Sequence, residues 1–165
     1  MKKFSAFLVA LFALVGCAGN GDFSAEDVMF AEMMIPHHEQ AIVMSDIALT
    51  NTTNPQVLEL ANQIKDAQAP EIEIMKSWPG VDSMAHMGHM MDGMLSDSEI
   101  EALRAATGAE FDRLFLEGMI KHHEGAIEMA ADVIDSKRAE VAELAKAIIA
   151  AQEAEIARMR ELLAG

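Results

Sequence analysis

From Ser24 onward, apolar positions recur every three or four residues, the spacing of a helix face rather than the alternation of a strand. Phe30, Met34, His37, Ala41, Met44 and Ala48 share one stripe. Ser24, with Asp27 three residues on, predicts a capping box at its start, and Thr50 to Asn54 reads as a turn at its end. Pro36 lies inside this helix and predicts a kink just before the histidines. Asn54 as N-cap and Pro55 at the first helical position predict a second helix to about Trp78, ahead of Pro79-Gly80. Its stripe carries Ile64, Gln68, Glu71, Met75 and Trp78, and Pro70 should bend it. Ser96 and Glu99 form a second capping box and open a short helix that ends near Thr107-Gly108. A long helix from about Ala109 to Ser136 follows, with Phe111, Phe115, Met119, His122, Ala126, Met129 and Val133 on one stripe. The last runs from about Arg138 to Leu163 and carries Leu144, Ile148, Gln152, Glu155 and Met159.

The pattern repeats. Phe30 to Met44 matches Phe115 to Met129 at an offset of 85, and Glu59 to Met75 matches Glu143 to Met159 at an offset of 84. Two helical hairpins of common design are implied, residues 24–80 and 109–165. Their short internal connections predict an all-α fold, an antiparallel four-helix bundle. A linker, residues 81–95 and the short helix after it, crosses between the halves. A pseudo-twofold axis would bring the two His-His pairs near each other.

The segment before Ser24 has another character. Lys2 and Lys3, an apolar run from Phe4 to Val15, and Gly16-Cys17 read as a lipoprotein signal over residues 1–16, with Cys17 as the lipidated residue. The run is too short to span a bilayer. Residues 17–23 become a tether, and the protein is expected to sit lipid-anchored in the cell envelope, facing the periplasm or the exterior. Cys17 is the only cysteine, which excludes internal disulfides and thiolate metal sites. The formal charge of −15 would deepen by two with loss of Lys2 and Lys3, a balance that disfavours nucleic acid and attracts cations.

Methionine changes the picture: there are 14, against no tyrosine and one tryptophan. Adjacent helical residues point about 100° apart. His37 therefore falls on the central stripe, and His38 at its edge, one turn after Met34. Met119, His122, His123 and Met129 repeat Met34, His37, His38 and Met44. A di-iron bundle would place Glu three residues before each such histidine; here that position is Met. Thioether with imidazole suits copper, Cu(I) above all, better than magnesium, calcium or iron pairs. Gln68, Glu71, Gln152 and Glu155 interrupt apolar stripes at matching places, where they could accept a ring N–H and orient the opposite nitrogen. Glu39 and Glu124 could do likewise or coordinate. Met84, His86, Met87, His89, Met90, Met91 and Met94 lie in the linker, where Gly88 and Gly93 break any helix, and offer soft donors at high local density. No nucleophilic triad, phosphate loop or dinucleotide fingerprint is present.

The segments "MIPHHEQAIVM" and "FLEGMIKHHEGAIEMA", with two "Q..EI..M" stretches, resemble the bacterial family called domain of unknown function 305, over nearly all of the chain after Cys17. The resemblance implies a ferritin-like four-helix fold in cell-envelope proteins, some associated with copper binding and tolerance, and it implicates Met34, His37, His38, Met44, Met119, His122, His123 and Met129. The expected function is a binding protein, not an enzyme, that captures, buffers or delivers copper. Its partners would be the metal ion, a membrane reached through the N-terminal lipid, and a second copy as a homodimer. A ferritin-like metal oxidase and a metal-free interaction module are the competing readings.

Overall fold

The computed structural model describes residues 22–86 and 91–165. Among these the secondary structure is helical: α1 (Ala25–Asn51), α2 (Pro55–Lys76), α3 (Asp97–Ala105), α4 (Gly108–Ala131) and α5 (Ala139–Ala164). The predicted signal segment and Cys17 lie outside the described residues, as do Met87, His89 and Met90 of the linker. No described helix is long and apolar enough to cross a membrane.

Local chemistry sets the helix starts. Ser24 and Asp27 cap α1 reciprocally, and Ser96 and Glu99 do the same for α3. The Asn54 side chain accepts from the Gln56 N–H ahead of α2, whose Pro55 has no N–H to leave orphaned. Both prolines expected to distort their helices lie within unbroken ones, Pro36 in α1 and Pro70 in α2. One backbone donor is missing at each, but the neighbouring turns continue. The helix expected to reach Ser136 stops at Ala131. Residues 132–136 instead form tight turns, with Val133 N–H on Ala130 O and Ser136 N–H on Val133 O. Asp132, Asp135 and Ser136 favour turns, and Val133 and Ile134 lose side-chain freedom in a helix.

Each hairpin packs its own pair, α1 with α2 and α4 with α5, and the halves meet chiefly through α1 and α4. Two apolar clusters form the core. One joins Met44, Ile47, Leu60 and Ile64 to Phe111, Phe115, Met119, Ile156 and Met159. The other joins Phe30, Met34, Ile72 and Met75 to Ala126, Ala130, Val141, Ala145 and Ile148. The first half of α1 therefore meets the second half of α4, so the two run antiparallel. Repeat partners sit in opposite clusters: Phe30 and Phe115, Met34 and Met119, Ala41 and Ala126, Ile64 and Ile148, Met75 and Met159. A pseudo-twofold axis that exchanges the clusters must pass between them, and the residues between them along α1 and α4 are the histidine pairs.

Phe115 is fully buried and anchors one cluster. Phe115→Ala should lower unfolding free energy by about 3–5 kcal/mol in a urea titration, through lost burial and the cavity left behind.

Candidate metal centre

His37, His38, His122 and His123 are all buried, His122 at 1 % exposure and the others at 0 %. His38, expected at the stripe edge, is as deep as His37 because α2 covers that edge and supplies its partner. His38 Nε2–H donates to Glu71 Oε2 at 2.8 Å, and His123 Nε2–H donates to Glu155 Oε2 at 2.7 Å. The carboxylate can only accept, so in the neutral ring Nδ1 keeps the lone pair. The symmetry extends outward. Gln68 and Gln152 are both buried, three residues before those carboxylates. Glu39 and Glu124 do not serve the rings: Glu39 pairs with Lys76 at 3.0 Å and Glu124 with Arg160 at 2.8 Å, both on the exposed outer face. One residue past a buried histidine, the helix has turned its side chain toward water.

Across the axis His37 and His122 meet directly, with ring centroids 3.8 Å apart and planes inclined by 39°. His37 Nε2 lies 3.3 Å from the backbone oxygen of Asp92. Among the described residues, five ring nitrogens are buried with no hydrogen-bond partner in good geometry: Nδ1 of all four histidines and Nε2 of His122. The Gln68 amide and the Gln152 oxygen are in the same condition. Native interiors rarely leave such groups unpaired, at about 1–3 kcal/mol each. A coordinated ion would use the nitrogen lone pairs as no hydrocarbon neighbour can, so the donor set fits a metal. Among the described residues, however, no three His, Cys, Asp or Glu side chains already stand at ligating distance. Thioethers and imidazoles together, not a carboxylate cage, are what the cluster offers.

The methionines divide. Met34 and Met119 are fully buried one turn before the histidines, so they face the same way, yet each also fills an apolar cluster. Met44 is fully buried in one cluster, and Met129 packs partly buried against the other. In the linker, Met84 is 63 % exposed, Met91 is buried and Met94 partly so. His86 Nε2 lies 3.7 Å from Glu32 Oε2, away from the central rings. Of the described linker donors, His86 is paired with Glu32 on α1.

Sequence reasoning missed the residues that seat the linker. Both backbone groups of Leu95 are taken by one side chain: Gln40 Nε2–H donates to Leu95 O at 2.8 Å, and Leu95 N–H donates to Gln40 Oε1 at 2.7 Å. On α4, a Cβ at Gly125 would fall 2.1 Å from Asp92 O, and one at Gly118 would fall 3.1 Å from the Leu95 side chain. The available signal was where the repeat fails, with Met33 opposite Gly118 and Gln40 opposite Gly125.

A duplicated helical hairpin with a symmetric, carboxylate-braced histidine layer at its axis defines the class: a helical protein built on paired His-His-Glu segments. The chain belongs to the DUF305 family, described as a domain of unknown function, whose profile matches residues 27–163. It is similar in structure to a DUF305 fragment from Deinococcus radiodurans, at 29 % identity and TM-score 0.78, covering 87 % of this chain and 99 % of that one. A DUF305 protein from Streptomyces coelicolor matches at 33 % identity and TM-score 0.75, with 84 % and 92 % covered. CopM in its Cu(II)-bound form matches at 36 % identity and TM-score 0.71, with 82 % and 94 % covered. CopM also matches in Cu(I)-bound, silver-bound and apo forms. No curated protein matches the chain.

Burial pushes His37 down to about 3, and repulsion from His38 adds to it, while the Asp92 carbonyl works the other way. His122 is pushed well below its ordinary value by burial and then by its histidine neighbours. In the unfolded chain both titrate near 6.5. Between these values the unfolded state binds protons that the folded state refuses, so stability is full above about 6.5 and falls as pH drops toward 3. The melting temperature of the metal-free protein should fall across that window, and more shallowly in a His37→Asn/His122→Asn variant.

Proposed function

We propose that this protein captures and buffers copper in the cell envelope, with the buried histidine layer as its ordered site and the Met/His-rich linker as an outer set of soft donors. The observation that carries this reading is the set of five unpartnered ring nitrogens in the interior, three of them on rings whose far sides are held by Glu71, Glu155 and a backbone carbonyl. Imidazole with a second-sphere carboxylate is a recurrent way of orienting a metal ligand. Met34 and Met119, one turn before the histidines, bias the set toward a soft ion. The copper-bound and silver-bound forms of CopM support the same choice. The signal expected over residues 1–16, with Cys17 directly after it, supports an envelope lipoprotein. We read the chain as a binder rather than a metal oxidase, because Met34 and Met119 stand where a di-iron bundle carries glutamates.

A metal-free helical module is the second reading, favoured by the two intact His–Glu pairs and by the place of Met34 and Met119 in the apolar clusters. The readings part in one experiment. Thermal melts and competition titrations with Cu(I) would compare the protein with a variant carrying Asn at all four buried histidines and one lacking residues 84–94. Copper binding predicts a higher melting temperature with Cu(I), because a ligand at 100 times its Kd stabilises by about 2.7 kcal/mol. It also predicts weaker affinity in both variants. Unchanged affinity in both, with no thermal shift, leaves the metal-free module.

The carboxylate braces give a finer prediction. Glu71→Ala or Glu155→Ala should weaken Cu(I) affinity by about 10–100-fold with little change in stoichiometry, as read in the same titration.

A further inference from the structure

The two halves are alike in sequence but are not treated alike by the linker. On α4, Gly118 and Gly125 lie seven residues apart on one face and leave a shallow seat. Leu95 rests on Gly118, and Gly93, at φ +83°, comes so close to Gly125 that a Cβ on Gly93 would fall 2.9 Å from Gly125 Cα. On α1 the equivalent positions are Met33 and Gln40, and the Gln40 amide grips both backbone groups of Leu95. Residues 91–95 are therefore clamped from one side and seated on the other. The clamp delivers the Asp92 carbonyl to His37 Nε2 at 3.3 Å. His122, the repeat partner of His37, meets no linker carbonyl; neither of its ring nitrogens has a hydrogen-bond partner in good geometry, and the backbone group that bears on it is that of His37.

We propose that Gln40 and Gly125 are positioning residues for the histidine layer: by seating segment 91–95 they hold the Asp92 carbonyl on His37 and fix its proton on Nε2. A carbonyl oxygen can only accept, so a ring facing it must present an N–H there and keep its lone pair on Nδ1. Three rings then share one arrangement, each with Nε2–H spent on an oxygen: His37 on Asp92, His38 on Glu71 and His123 on Glu155. Among the described residues, His122 has neither a carboxylate nor a linker carbonyl to set its tautomer, only the nearby backbone of His37. Duplication supplies four like rings, and the linker presets His37 while leaving its repeat partner His122 adjustable. Gly125 matters because any side chain there would push Asp92 away, and Gln40 because, among the described residues, no other side chain is bonded to the Leu95 backbone.

The copper role of this arrangement rests on the proposed function, but the tautomer does not. The test is a two-bond nitrogen–proton correlation spectrum of ¹⁵N-histidine-labelled, metal-free protein at neutral pH, with Gln40→Leu and Gly125→Ala beside the unaltered chain. His37 should show the Nε2–H pattern in the unaltered protein and lose it, wholly or by mixing with the other tautomer, in each folded variant. His38, braced by Glu71, should keep its pattern throughout and so reports that the bundle is intact. Gln40 is only half-buried, so Gln40→Leu carries the comparison if Gly125→Ala does not fold. The Cu(I) affinity of Gln40→Leu should fall by about tenfold, the effect of losing an outer-sphere partner. A His37 pattern with the proton on Nδ1 in the unaltered protein, or an unchanged His37 in a folded variant, overturns the proposal. A chain that binds no copper yet shows the predicted tautomers overturns only the copper reading.

Discussion

Four imidazoles buried between two apolar clusters are tolerable only if nearly every ring proton has an oxygen to meet. At His37 and His122 burial disfavours the charged form, so each neutral ring must place one proton and expose one lone pair. Glu71, Glu155 and the Asp92 carbonyl take three of the ring protons. The apolar clusters on either side shut out competing groups, and the lone pairs are left facing the interior. Pseudo-symmetry, helix pairing and the route of the linker are all arranged about that layer.

The fold was largely legible because each of its determinants is local. Capping at Ser24, Asn54 and Ser96, and stripes at helical period, mark elements without reference to the rest of the chain. The internal repeat then carried the reading from elements to architecture, since like hairpins that bury like stripes need an axis between them. What failed was also local but depended on its surroundings. The stretch after Ala131 scores as helix by its apolar residues, yet becomes a turn where the chain must reverse into α5.

The site was legible to a lesser degree. Doubling of His-His with Met in register identified the four rings and the axis that joins them. Periodicity alone placed His38 at an edge, because which edge a neighbouring helix covers is a tertiary fact. The same ignorance put Glu39 and Glu124 near the rings, when one further residue of helical rotation carries them to Lys76 and Arg160. Gln40 and Gly125 were invisible to a search for chemistry, since an amide and a glycine carry none. They stand out only as places where a faithful repeat stops being faithful, and a break in a duplication marks where one half has acquired a task the other lacks.

The most direct measurement follows the side-chain nitrogen shifts of all six histidines while Cu(I), which is closed-shell and leaves the spectrum readable, is added to the labelled protein. The account predicts coordination shifts at Nδ1 of the buried rings, with Nε2 of His38 and His123 still protonated. Shifts confined to His86 and His89, with the buried rings unmoved, would contradict it.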